Sequence, residues 1–115
     1  MITFYGYAKC GTCQKAKKFL TQHKIAFHEL DITQNPPSLQ QLKQALAQFN
    51  MRSLLNTSGE LYRSMNMKDK IKTLSPPEVL ALLASHGKLV KRPFVTDGTK
   101  FTIGFDDKTY AEVWG

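Results

Sequence analysis

Tyr7-Ala8-Lys9-Cys10-Gly11-Thr12-Cys13-Gln14-Lys15 is the stretch on which the fold turns. An apolar run, Ile2-Thr3-Phe4-Tyr5, precedes it, and Ala16, Phe19 and Leu20 follow at helical spacing between Gln14, Lys15, Lys17 and Lys18. The two cysteines therefore sit where a strand hands over to a helix. Cys10 falls at or just before the helix start and Cys13 in the first turn, a separation that brings both sulfurs to one side, within disulfide range after small rotations.

That position shapes the chemistry of Cys10. The first N–H groups of a helix lack helical partners, and with the helix dipole they favour negative charge. The thiolate is the nucleophile, and Cys-x-x-Cys pairs at helix starts lower a thiol pKa from about 8.5 into the range of about 3.5–7.5. Lys9 and Lys15 act in the same direction. Cys10 reads as the attacking thiol and Cys13 as the resolving one, closing a disulfide on Cys10. The alternatives are that the pair packs as small apolar residues or holds a metal. A zinc site needs more ligands, the chain has no other cysteine, and His23, His28 and His86 lack ligand spacing, so no metal site is expected.

A chain of 115 residues makes one domain with a single core. No window is apolar enough to span a membrane. The chain opens into a strand without a basic and apolar leader, so no secretion signal is expected and a cytoplasmic protein is the default. In that compartment a close cysteine pair is more often catalytic or redox-sensing than structural. The formal charge is +7, from 16 Lys and Arg against 9 Asp and Glu. It fits an anionic substrate or acidic partner, or a solvated basic face. The lysines are spread from Lys9 to Lys108 without a nucleic-acid recognition signature, so direct nucleic-acid binding is not expected.

In chain order, Ile2–Tyr7 reads as a central buried strand, Thr12–His23 as the first helix and Ile25–Ile32 as a second strand parallel to the first. His28 and Glu29 read as strand-face residues. Ser38 with Gln41 forms a capping box for a helix whose inner face is Leu39, Leu42, Ala45, Leu46 and Phe49, ending near Asn50. Short helical pieces follow over Met51–Leu55, Tyr62–Met65 and Lys68–Leu74, with Asn56-Thr57-Ser58-Gly59 as a turn. Ser75-Pro76-Pro77-Glu78 opens another helix, with Gly87 as its stop. Pro93–Thr96 and Lys100–Phe105 pair through Asp97-Gly98, and Asp106 caps a final helix with Tyr110 and Val113 or Trp114 inward. The expected fold is α/β: β-α-β, a helical insert over about 37–87, then β-β-α.

That order, with Cys-x-x-Cys at the first junction, resembles a thioredoxin fold. The whole chain is similar to the arsenate reductase-related family, which includes the Spx regulators. The resemblance rests on Phe4-Tyr5-Gly6 with Lys9-Cys10, on Leu54-Leu55-Asn56-Thr57-Ser58-Gly59, on Leu89-Val90-Lys91-Arg92-Pro93 and on Gly104-Phe105. It implies that Cys10 attacks the substrate, that Arg92 cradles an anion, and that Pro93 is a cis-proline set opposite the cysteine. Beside these, Lys9, Gly11 and Thr12 around the cysteine, with Pro93, are candidate binding residues, and Asn56 either donates to a bound anion or shapes its turn. Asn56 stands where arsenate reductases place a second arginine, and Phe101–Gly104 offers no third; Arg52 and Arg63 do not match those positions.

One arginine plus a helix N-terminus is a thinner oxyanion site than several donors acting together. Cys13 also suits thiol–disulfide exchange better than a single-cysteine mechanism. The leading expectation is therefore a thiol-based oxidoreductase acting on a small oxidised thiol. It would need no resident cofactor, with glutathione or another thiol as reductant. The runner-up is an Spx-like redox-sensitive regulator that binds the C-terminal domain of the RNA polymerase α-subunit. Arsenate, as oxyanion substrate, ranks third.

Overall fold

The computed structural model describes residues 1–115. A four-stranded sheet with order β2-β1-β3-β4 organises it. β1 (Ile2–Gly6) pairs parallel with β2 (Phe27–Asp31) and antiparallel with β3 (Phe94–Thr96), which pairs antiparallel with β4 (Phe101–Ile103). The near-continuous apolar run of β1 thus occupies an interior position in the sheet, where both faces are covered. α1 (Gly11–Gln22) links the parallel pair. α2 (Leu39–Gln48), α3 (Met51–Leu54), α4 (Glu60–Ser64), α5 (Met67–Thr73) and α6 (Pro76–Ser85) lie between β2 and β3, and α7 (Asp107–Val113) follows β4. No helix is long and apolar enough to cross a membrane.

Strand alternation sorts the core into two layers. Phe4 and Val95 point to the side of α1 and α7, where they meet Ala16, Phe19, Leu20, Tyr110 and Trp114. Tyr5 and Phe94 point the other way, into a larger cluster with Leu42, Ala45, Leu54, Leu80 and Leu83 of the helical insert. Met67 is buried in that second layer and Met65 packs against it. Tyr62 belongs to the same layer and Trp114 to the first.

The helix starts follow local chemistry. Ser38 and Gln41 form a reciprocal capping box, as do Ser75 and Glu78, whose helix has proline in its first turn. Asp106 accepts the Thr109 N–H at the start of α7. Several expectations shift at their edges. α2 stops at Gln48 because Asn50 instead caps α3, accepting the Ser53 N–H at 2.9 Å. β2 begins at Phe27: Lys24 has φ 56° and Ile25 N–H donates to Leu20 O, closing α1 rather than entering the ladder. β4 ends at Ile103 because Gly104 turns the chain at φ 79°. Leu39 is 40% exposed and does not join the inner face of α2.

Gly87 requires a larger correction. It does not end α6 in a left-handed conformation; His86 is the C-cap, and Gly87 opens a 3-10 turn over Gly87–Leu89. Its glycine is needed for close approach. A Cβ there would lie 1.7 Å from the Ile32 carbonyl oxygen at the end of the second strand.

Candidate active site

The residues between β1 and α1 build the site. Cys10 N–H donates to Tyr7 O at 3.0 Å, a tight turn that leads directly into the helix. Cys10 is the N-cap of α1, in extended conformation, and its sulfur accepts the Cys13 N–H at 3.2 Å. This is the place usually filled by a serine or aspartate oxygen. The cap geometry gives a negative charge on Sγ a hydrogen bond and the positive end of a 12-residue helix. Cys10 is half-buried and Cys13 is buried; both are free thiols.

Cys13 packs in the smaller core layer with Phe4, Ala16 and Tyr110. Burial, then the adjacent Cys10 sulfur, pushes its thiol pKa up from 9.0 to about 12. Cys13 therefore remains a protonated thiol at neutral pH. Gly6 allows this packing: a Cβ there would stand 2.5 Å from the Phe4 ring and 3.5 Å from the Cys13 sulfur.

A cavity of about 570 Å³ opens beside Cys10. Thr12, Asn56, Lys91, Arg92, Gly104, Asp106, Thr109 and Tyr110 are among its walls. The peptide bond between Arg92 and Pro93 is cis, and Pro93 O accepts the Gly104 N–H at 2.9 Å. The Arg92 guanidinium lies over the Tyr7 ring, 5.1 Å from its centroid, which links it to the turn that holds Cys10. Neither Arg92 nor Lys91 has a carboxylate partner, because the two salt bridges are Lys17–Glu29 and Lys72–Asp69. Asp106, the carboxylate in this cavity, receives the Thr109 backbone N–H and hydroxyl, which hold its pKa below the ordinary range.

The structure thus brings Cys10, Thr12, Asn56 and Arg92 to one cavity. Gly11 is the first residue of α1 and nothing approaches its Cβ position, while Lys9 is exposed in the preceding turn; neither lines the cavity. Asn56 is fixed by its own N–H to Leu89 O and by its side-chain amide to Lys88 O. Lys91 and the strand-end residues Thr102–Asp106 enter the site only through the tertiary fold. In the sequence, Lys91 belongs to the segment that carries the family resemblance, with no binding role of its own assigned to it. No group of three or more His, Cys, Asp or Glu residues is placed to hold a metal.

A Cys-x-x-Cys pair at the start of the first helix, a cis-proline entering β3 and a β2-β1-β3-β4 sheet define a thioredoxin-like protein. Within that class the chain belongs to the ArsC family, whose model matches residues 5–113. It is 45% identical over 115 residues to the uncharacterised protein YusI of Bacillus subtilis, covering 98% of each chain. It is 28% identical over 109 residues to the global transcriptional regulator Spx of Streptococcus pneumoniae, covering 93% of this chain and 80% of Spx. In three dimensions it is similar to a possible arsenate reductase from Streptococcus mutans, with TM-score 0.84, 39% identity and 91% of each chain covered.

Proposed function

We propose that this chain is a thiol–disulfide oxidoreductase with Cys10 as nucleophile and Cys13 as resolving thiol. The observation that carries the reading is the Cys10 sulfur acting as the cap of α1, beside a cavity that also holds Arg92. The Cys10 thiolate attacks one sulfur of a substrate disulfide, forming a mixed disulfide and releasing the other half as a thiolate. Cys13 then loses its proton and attacks the Cys10 sulfur. The substrate half leaves as a second thiolate, and the Cys10–Cys13 bond forms. The two cysteines lose two electrons, the substrate disulfide gains them, and the two cysteine protons end on the product thiols. An external thiol, such as glutathione or a dithiol, must reduce the protein again.

The high pKa of Cys13 fits this order of events. A protonated, buried Cys13 does not compete for the first attack. Once Cys10 is in a mixed disulfide, the negative sulfur that helps hold the Cys13 proton is gone. The contact of Arg92 with Tyr7, beside Cys10, supports a role for the guanidinium in binding an anionic group of the substrate.

Reduction of insulin or of a glutathione mixed disulfide, compared between the native chain and Cys10→Ser, tests the reading. The substitution should abolish turnover; undiminished turnover ends the proposal. Cys13→Ser should instead accumulate a stable mixed disulfide on Cys10, visible as an added mass.

A regulatory reading is second. It draws on the likeness to Spx and on the same cap: two-electron oxidation by an external disulfide or peroxide bonds the Cys10 sulfur, which accepts the Cys13 N–H, to the Cys13 sulfur and so alters the start of α1. A binding assay with the C-terminal domain of the RNA polymerase α-subunit, using the reduced and the oxidised chain, tests it. Absence of capture in both states removes it.

A further inference from the structure

A second cavity, of about 380 Å³, adjoins the one at Cys10 and shares two of its walls, Asn56 and Lys91. Its lining includes Arg52, Ser53, Thr57 and Ser58 and contains no carboxylate. Lys91 is the cation common to both spaces. Its backbone N–H donates to Leu54 O at 2.8 Å, anchoring the residue against the insert. Its side chain crosses Gly104: a Cβ on that glycine would lie 3.2 Å from Lys91 Cε and 3.8 Å from Nζ. A side chain larger than hydrogen at 104 would crowd the lysine off this path. Lys91 and Arg52 both lack a salt bridge, and the carboxylate at the edge of the first cavity, Asp106, is engaged by Thr109.

Two unpaired cations around a hydroxyl-lined space favour an anion, and no fixed negative charge in that space opposes it. The two spaces lie side by side along Asn56 and Lys91, which line both. A substrate whose disulfide reaches Cys10 therefore has room to extend a charged arm past Lys91 towards Arg52. We propose that Lys91, with Arg52 behind it, is a specificity determinant that selects disulfides carrying a carboxylate-bearing arm several bonds from the sulfur. The inference rests on the oxidoreductase reading and names its substrate class.

The test follows mixed-disulfide formation on Cys10 by mass in the Cys13→Ser background. Glutathione disulfide serves as the long-armed anionic probe and cystamine as the cationic one. In that background Lys91→Gln and Arg52→Gln should each slow reaction with glutathione disulfide by about fivefold, the kinetic equivalent of one exposed ion contact. Reaction with cystamine should not slow. Lys91→Arg should restore the anionic preference, and high salt should erase it in the parent. An unchanged ratio of the two rates in both glutamine variants overturns the inference while leaving the nucleophile in place. Failure of Cys10 to react with either probe overturns both readings. Lys91 is exposed, so its replacement should leave the fold intact; unaltered thermal unfolding checks this.

Discussion

The two faces of the sheet are built differently. One carries a cluster of 15 buried residues, with contributions from every helix of the insert. The other carries 8, from α1, α7 and the strands, and includes Cys13. The larger layer is mostly aliphatic. The smaller is dominated by aromatic rings, with Phe19 edge-on to Tyr110 at 5.6 Å and Phe105 edge-on to Tyr110 at 4.8 Å. The larger face supplies the bulk of hydrophobic stabilisation, which scales with buried apolar area. The smaller face holds the buried thiol close to the site. The bulk of the core and the buried cysteine are thus divided between the two sides of one sheet, and Arg92, Lys91 and Asn56 line the cavity beside Cys10.

Substitutions can break this division. The largest effect is expected from Gly87→Ala, where the added methyl would meet backbone at 1.7 Å, with no flexible side chain to yield. Overpacking of ordinary cores costs about 1–3 kcal/mol, and this contact should exceed that range. Chemical denaturation should show loss of the folded state or a large fall in midpoint. Leu83→Ala, in the fully buried aliphatic layer, should cost about 2–5 kcal/mol by the same measurement, while leaving Cys10 reactivity in the folded fraction unchanged.

The smaller face should announce itself through pH. Burial pushes Tyr110 up from 10.0 to about 12, and Cys13 rises from 9.0 to about 12. The unfolded chain ionises first at both groups, so their contribution to stability is intact below pH 9 and is lost as pH rises through about 12. Denaturation midpoints should fall across that window, and Tyr110→Phe should make the fall shallower. An equally steep fall in Tyr110→Phe would assign the alkaline loss elsewhere. The smallest effect belongs to the insert's periphery: Ser75→Ala should cost about 1 kcal/mol, the value of one lost helix cap.

Much of this was legible along the chain. Cys10 and Cys13 at a strand-to-helix junction, the two capping boxes and the Asp97-Gly98 turn are local patterns, each fixed by neighbours within a few residues. Boundaries were less legible where one residue served two elements. Asn50 reads as the tail of α2 until it is seen capping α3. Gly87 reads as a helix stop because glycine commonly ends helices, yet its requirement comes from Ile32, distant in sequence.

By itself the sequence determined the alternation of strands and helices and the place of Cys10 at the head of its helix, because hydrophobic period and capping act over one or two turns; the Arg92-Pro93 pair stood out through the family resemblance. The tertiary structure alone decided that β1 lies between β2 and β3, that Cys13 is buried among aromatic rings, and that Lys91 passes over Gly104 beside the cavity. Those facts depend on contacts between residues far apart in the chain. No local period encodes them, since they follow from which buried faces can be covered at once.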